Sequence, residues 1–155
     1  MKSGANNLLL IGFIAVLFLA FGGSQMAQPR GIRNNNPGNI RGSGDNWQGA
    51  TGFDDLGFVV FESPVYGVRA MARVINNYRE KYFLVTIRQI VERWAPDSEN
   101  NTEAYIQSVA GHSGVDADAY IEPESLPAIM AAMIYHENGQ QPYSMALIQE
   151  GIALA

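Results

Sequence analysis

The pattern of apolar and polar positions divides the chain into a long apolar run, an Asn- and Gly-rich stretch and a series of helix-like segments. Residues 8–21 are continuously apolar, follow Lys2 and end at Gly-Gly-Ser. This length lies between that of a signal-peptide core and that of a full membrane span. We predict an uncleaved N-terminal transmembrane anchor and linker over residues 1–28, in contact with lipid through residues 8–23. A cleaved signal peptide is the alternative interpretation.

The stretch from Gly31 to Gly57 is rich in asparagine and glycine. These residues favour turns and left-handed backbone conformations over helix. Short extended pieces are expected at residues 39–41 and 57–61, which predicts a small β-hairpin or irregular lobe. This lobe begins a domain that we expect to span residues 29–155.

Helical periodicity follows the lobe. Helix starts are predicted at four polar residues, namely Ser63, Thr86, Thr102 and Ser144, with Ser63 as an N-cap. Pro64 suits the first helical position after Ser63, and Pro96 is expected to stop the second helix. A short turn of helix is expected near Asp116. The predicted fold class is mainly α (α+β), a helical domain with a small β lobe and an N-terminal transmembrane helix.

Composition excludes several kinds of site. The chain has no cysteine, so it has neither disulfides nor a thiol nucleophile. Its two histidines, His112 and His136, are not at metal-ligand spacing, and we predict no metal and no cofactor. The formal net charge of −5, with scattered basic residues, argues against a nucleic-acid surface.

The segment from Leu126 to Gly139 is an apolar run of helix formers that ends in a single carboxylate, Glu137. Asn138-Gly139 predicts the end of the helix, because both residues tolerate a left-handed C-cap. Burial disfavours the charged form of a carboxylate, which is how proteins prepare a general acid for neutral pH. Glu137 is therefore the first candidate catalytic residue. The alternative is a glutamate that simply turns into solvent.

Glu62 is the second candidate acid. It directly precedes Ser63-Pro64, at a predicted helix start. A helix N-terminus stabilises the ionised form of a carboxylate, which is the wrong direction for an acid. Glu62 is therefore the less favoured alternative, and a strand-end or capping role suits it better.

Several strings resemble a family of phage-encoded, virion-associated lytic enzymes of the lysozyme superfamily. The strings include Arg30 to Arg41, Trp47-Gln48-Gly49, Phe61 to Pro64, Arg93 to Pro96 and His136 to Tyr143. The resemblance implies a lysozyme-like helical domain. The chain also resembles, more loosely, bacterial glucosaminidases and lytic transglycosylases, in which the helix with the glutamate comes first. Because that helix comes last in this chain, the looser resemblance implies a circular permutation of the lysozyme-like core.

The resemblance implies cleavage of the β-1,4 glycosidic bonds of peptidoglycan, by a lytic transglycosylase or muramidase. In a transglycosylase the sugar's own 6-hydroxyl attacks, so a single glutamate suffices. Peptidoglycan strands and other virion proteins are the implied partners. The enzyme is expected in a virion membrane or bacterial inner membrane, with its domain facing the periplasm and cell wall. The alternative is a structural virion membrane protein that binds glycan without cleaving it.

Aromatic faces and amides are the groups expected to contact sugar rings. The candidate substrate-binding residues are Asn36, Asn39, Trp47, Tyr105, Gln141 and Tyr143. Of these, Asn39 and Tyr105 are the better candidates. In the alternative interpretation the Asn-rich string serves turn geometry and Tyr105 belongs to the core. Trp94 is expected in the core beside Ile90 and Val91.

Overall fold

A computed structural model describes residues 27–42, 44, 46–96 and 101–155. This part of the chain is mostly helical, with a two-stranded sheet. Its elements are α1 (Arg30–Arg33), β1 (Ala50–Phe53), β2 (Val59–Phe61), α2 (Pro64–Tyr82), α3 (Ile87–Trp94), α4 (Thr102–Ser113), a 3₁₀ turn (Pro123–Ser125), α5 (Leu126–Asn138) and α6 (Met145–Ala153).

For the described residues, the predicted fold class is wrong in including a membrane-spanning helix. Within the described residues, no helix combines the length and the apolar character needed to cross a bilayer. The longest, α2, has 19 residues but carries charged side chains such as Arg69 and Arg73 along its length. The predicted span at residues 8–23 lies outside the described residues. The corrected fold class is a mostly helical domain with a two-stranded sheet.

Helix α5 lies in the main hydrophobic core, as its all-round apolar character predicts. Ile129, Met130 and Met133 are fully buried. The helix packs mainly against α4 and α6, and α6 in turn packs against α2. The helix ends at Asn138, and Gly139 has the predicted left-handed conformation, with φ of 67°. Residue 137 is thereby placed in the last turn of a core helix.

The predicted helix starts are largely confirmed. Thr86 forms a capping box with Gln89 at the start of α3, and Ser144 accepts a hydrogen bond from the backbone N–H of Leu147 at the start of α6. Thr102 begins α4, with Asn101 as its cap. The predicted turn of helix near Asp116 is wrong. That segment is a turn, in which the Asp116 carboxylate accepts the N–H of residue 118.

The β lobe differs from its prediction in detail. Strands β1 and β2 pair antiparallel, with a register shift between Ala50 and Gly52. Residues 57–61 supply β2 as expected, whereas residues 39–41 contribute only an isolated bridge from Arg41 to Phe58. Strand β1 was not predicted, because this Gly-rich sequence lacks the alternation that marks a strand. Helix α1 was not predicted either, since its four residues are too few to show a helical period.

The Asn-rich loop, residues 34–39, is fastened on two sides. Towards the β lobe, Asn35 Nδ2 donates to the carbonyl of Phe61, and Asn36 Nδ2 donates to those of Ile40 and Val59. Towards the core, Asn138 Nδ2 donates to the carbonyl of Pro37 at 2.8 Å. The loop is thus held between β2 and the C-terminal end of α5.

Close packing of α2 against this loop depends on Gly67. A Cβ at this position would meet the backbone carbonyl of Asn35 and, at 2.7 Å, the ring of Pro37. We expect Gly67→Ala to lower the free energy of unfolding by about 1–3 kcal/mol, because the backbone must move apart. Urea denaturation followed by circular dichroism measures this change.

Gly111 is the matched control, since it also lies within a helix but a Cβ there would meet no atom within 4 Å in the described structure. Gly111→Ala is expected to raise the free energy of unfolding by about 0.4–1 kcal/mol. Equal effects of the two substitutions would contradict the close packing of α2 on the loop.

Candidate active site around Glu137

The half-buried carboxylate of Glu137 receives three hydrogen bonds from three different parts of the fold. Trp94 Nε1, at the end of α3, and the hydroxyl of Tyr105, in α4, each donate to Oε1 at 2.9 Å. Asn39 Nδ2, from the Asn-rich loop, donates to Oε2 at 3.0 Å. The last turn of α5 therefore meets α3, α4 and the loop at one carboxylate.

These donors leave part of the carboxylate free for a ligand. Amide, indole and phenol groups are neutral donors, and a carboxylate accepts at about four lone-pair sites. Burial, and then the nearby charge of Glu137, raise the pKa of Tyr105 well above its usual value, so that its hydroxyl keeps its proton. Two donors occupy Oε1 and one occupies Oε2. One acceptor site of Oε2 therefore remains for a substrate proton.

The ring of His136 packs against Tyr105, one of the donors to Glu137. The imidazole of His136 stacks on the ring of Tyr105, with centroids 3.8 Å apart and planes 16° apart. Because this ring is partly covered, its pKa is lowered from 6.5; the charge of Glu137 opposes the shift and that of His112 adds to it. The neutral imidazole is favoured in the folded protein.

Two neighbouring cavities lie near the carboxylate, and the smaller one is lined by it. The smaller, of about 350 Å³, is lined by Glu137 together with Arg30, Arg41 and Phe58, whose ring lies 3.8 and 4.2 Å from the two guanidinium carbons. The larger, of about 730 Å³, extends along α2. Both are lined by Gly38, Asn39, Arg41 and Trp94. Because they share these residues, we call the two cavities together the Glu137 groove.

The structure brings together only part of the predicted site. Asn39 and Tyr105 contact Glu137, and Trp47 lines the larger cavity. Asn36 is 1% exposed and uses its amide within the loop, so it serves structure and offers nothing to a ligand. The remaining candidates line neither cavity: Glu62 is exposed at the end of β2, and Gln141 and Tyr143 hydrogen-bond each other after α5.

The sequence analysis missed Trp94 as a site residue. Its ring packs against the core as expected, but its indole N–H reaches Glu137. It also missed the arginines of the groove wall, Arg41, Arg69 and Arg73. The string Arg93 to Pro96 among the family motifs was the available signal for Trp94. Within the described ranges, no group of His, Cys, Asp and Glu residues could hold a metal ion.

Loss of the Tyr105 hydroxyl should weaken the Glu137 cluster. We expect Tyr105→Phe to lower the free energy of unfolding at pH 7 by about 1–3 kcal/mol, because it removes one partner of a part-buried hydrogen bond. Chemical denaturation measures the change. Tyr135→Phe is the control, since its ring is exposed on the same helix as Glu137. Similar losses in both variants would count against the hydrogen bond as the cause.

The lowered pKa of His136 makes the stability of the fold depend on pH. The unfolded chain binds this proton more readily than the folded protein does. The contribution of His136 to the free energy of unfolding is therefore fully present above about pH 6.5 and is lost as the pH falls through the lower pKa of the folded state. NMR titration of the ring should give a midpoint below 6.5. His112→Asn should raise that midpoint, because it removes a repelling neighbour. An unchanged midpoint would show that His112 exerts no such repulsion.

Comparison with known proteins places the chain in a phage family. No family model matches it. It is 44% identical over 126 residues to Protein P5 of Pseudoalteromonas phage PM2, an overlap that covers 79% of each chain. The predicted resemblance to phage-encoded proteins is confirmed at this level, whereas membership of the lysozyme superfamily stays a prediction. The chain belongs to the family of Protein P5 from phage PM2.

Proposed function

We propose that the protein cleaves the β-1,4 glycosidic bonds of peptidoglycan, with Glu137 as general acid and then base. The observation that carries this proposal is the single carboxylate that lines the smaller cavity and is held by three neutral donors. Such a group is fixed in position yet open to a ligand on one side. That is the arrangement that proton transfer to a glycosidic oxygen requires.

The donors stabilise the negative charge that Glu137 acquires when it releases its proton. A protonated Glu137 gives its proton to the leaving glycosidic oxygen, and a negative charge develops on the carboxylate. Trp94 and Tyr105 already direct N–H and O–H groups at Oε1, so that charge is stabilised without rearrangement. The ionised Glu137 then accepts the proton of the attacking hydroxyl.

The groove walls suit a sugar chain. Trp47 and Tyr78 supply aromatic faces along the larger cavity, and Asn46 and Asn77 supply amide donors and acceptors. A volume of about 730 Å³ is in the range of small-ligand pockets, about 300–1,000 Å³. Sugar units on one side of the cleaved bond occupy this cavity in our proposal.

A single-carboxylate mechanism is favoured over one with two. Among the described residues, Glu137 is the one acidic residue that lines either cavity. Asp54 instead closes the turn between the strands: burial raises its pKa, but hydrogen bonds from the N–H of Phe58 and from Asn34 outweigh this and lower it. We therefore propose a lytic transglycosylase, in which the sugar's own 6-hydroxyl attacks, ahead of a muramidase.

The biological setting follows from the family. The relative belongs to a phage. We propose that this protein is carried in the virion beside other virion proteins and opens the bacterial cell wall during entry or lysis. Glycan binding without cleavage is the competing function.

A zymogram with the full chain tests the activity. Wild type should clear peptidoglycan, and Glu137→Gln should reduce the rate by at least about 100-fold, because it removes the acid and base while preserving shape. Glu62→Gln is the matched control and should keep wild-type activity, since Glu62 is exposed and outside the groove. Binding without clearing by wild type, or equal clearing by wild type and Glu137→Gln, would overturn the proposal.

The products distinguish the two reactions. Mass spectrometry of the released muropeptides should show anhydro-sugar ends, which are one water lighter than hydrolysis products. Products of hydrolytic mass would instead indicate a muramidase and would require a second group to activate water.

A further inference from the structure

We propose that the wall of the Glu137 groove along α2 binds carboxylate groups carried by the glycan strand, so that the protein selects an anionic glycan over a neutral one. These carboxylates belong to the muramyl lactyl group or to the attached peptide stem. The inference rests on the proposed glycan substrate and names the feature by which it is recognised.

The charge of this wall is opposite to that of the whole protein. The chain has 15 acidic and 10 basic residues, with a formal net charge of −5. The larger cavity is nevertheless lined by Arg41, Arg69 and Arg73, and its described lining contains no aspartate or glutamate. A cavity lined by one sign of charge concentrates ligands of the other sign.

The three arginines are held in place by main-chain oxygens and not by aspartate or glutamate side chains. Arg69 Nε donates to the carbonyl oxygen of Leu154, and an Nη atom of Arg73 donates to a main-chain oxygen of Ala155, both at 3.0 Å. Arg41 donates in the same way to Leu56 at 3.1 Å. A guanidinium has five N–H donors, so each arginine keeps free donors for a ligand.

No aspartate or glutamate of the described structure forms an ion pair with the arginines of this wall. The ion pairs of the described residues join Arg88 to Glu103 and to Asp118, and Arg88 lines neither cavity. Arg69 and Arg73 are four residues apart on α2 and therefore share one face of the helix. Two adjacent guanidinium forks can bind a carboxylate in the bidentate manner typical of arginine.

The position of the wall matches a strand cut at Glu137. The small cavity that contains Glu137 adjoins the arginine-lined cavity, since Gly38, Asn39 and Trp94 line both. A glycan that places its glycosidic bond at Glu137 therefore extends along α2. Its substituents then lie beside the arginines, whereas a neutral N-acetylglucosamine chain has no group for them to bind.

Calorimetric titration of the full chain carrying Glu137→Gln tests the inference, because ligands are then not cut. Three tetrasaccharides are compared: neutral chitotetraose, a stem-free peptidoglycan fragment with lactyl carboxylates, and the same fragment with peptide stems. At low salt, at least one anionic ligand should bind about ten-fold more tightly than chitotetraose. The preference should shrink as salt is raised. Comparison of the two anionic ligands identifies which carboxylate is bound.

The double substitution Arg69→Gln and Arg73→Gln should reduce this preference towards one. Lys81→Gln is the matched control, since it removes one positive charge from the same helix outside the groove. The ratio of affinities within one variant does not depend on the fraction that is folded, so a partly unfolded variant still gives a result.

Equal affinity for all three ligands, or a preference that survives the double substitution, overturns the inference. If sacculi are still cleared in a manner that depends on Glu137, only the anionic selectivity is lost and the proposed cleavage stands. If no ligand binds and no sacculus is cleared, both proposals fail.

Discussion

The packing of the Asn-rich loop, residues 34–39, against the end of α5 is the contact on which the groove depends. Asn138 bridges the two by donating to the carbonyls of Pro37 and Ile134, at 2.8 and 2.9 Å. Helix α1, which precedes the loop, also packs closely here: a Cβ at Gly31 would collide with the Asn138 side chain. Because Glu137 precedes this bridge directly, the same contact brings Asn39 to its carboxylate.

This contact links stability to chemistry. A half-buried carboxylate at a helix C-terminus is unfavourable when isolated, because burial and the helix dipole both oppose its charge. The hydrogen bonds from Asn39, Trp94 and Tyr105 offset that cost. They come from three separate elements, so the groove forms only when these elements are packed together. A carboxylate restrained in this way is positioned for catalysis without being enclosed.

Trp94 and Asn36 are two residues whose side-chain contacts could not be predicted from the sequence. The apolar neighbours of Trp94 predict a core residue, and its ring does contact the core, but periodicity cannot reveal that its N–H points to Glu137. Asn36 and Asn39 are alike in the sequence, yet only Asn39 reaches Glu137. Asn36 is directed by its backbone towards Ile40 and Val59, and its amide is fully used there.

The sequence by itself determined the core helix α5, its end at Gly139 and the placement of Glu137 in its last turn. It could do so because helix propensity, apolar character and left-handed C-capping act over a few neighbouring residues. Only the tertiary structure decided what surrounds Glu137. Its hydrogen-bond donors lie 98, 43 and 32 residues away along the chain, and no local preference specifies such distant partners.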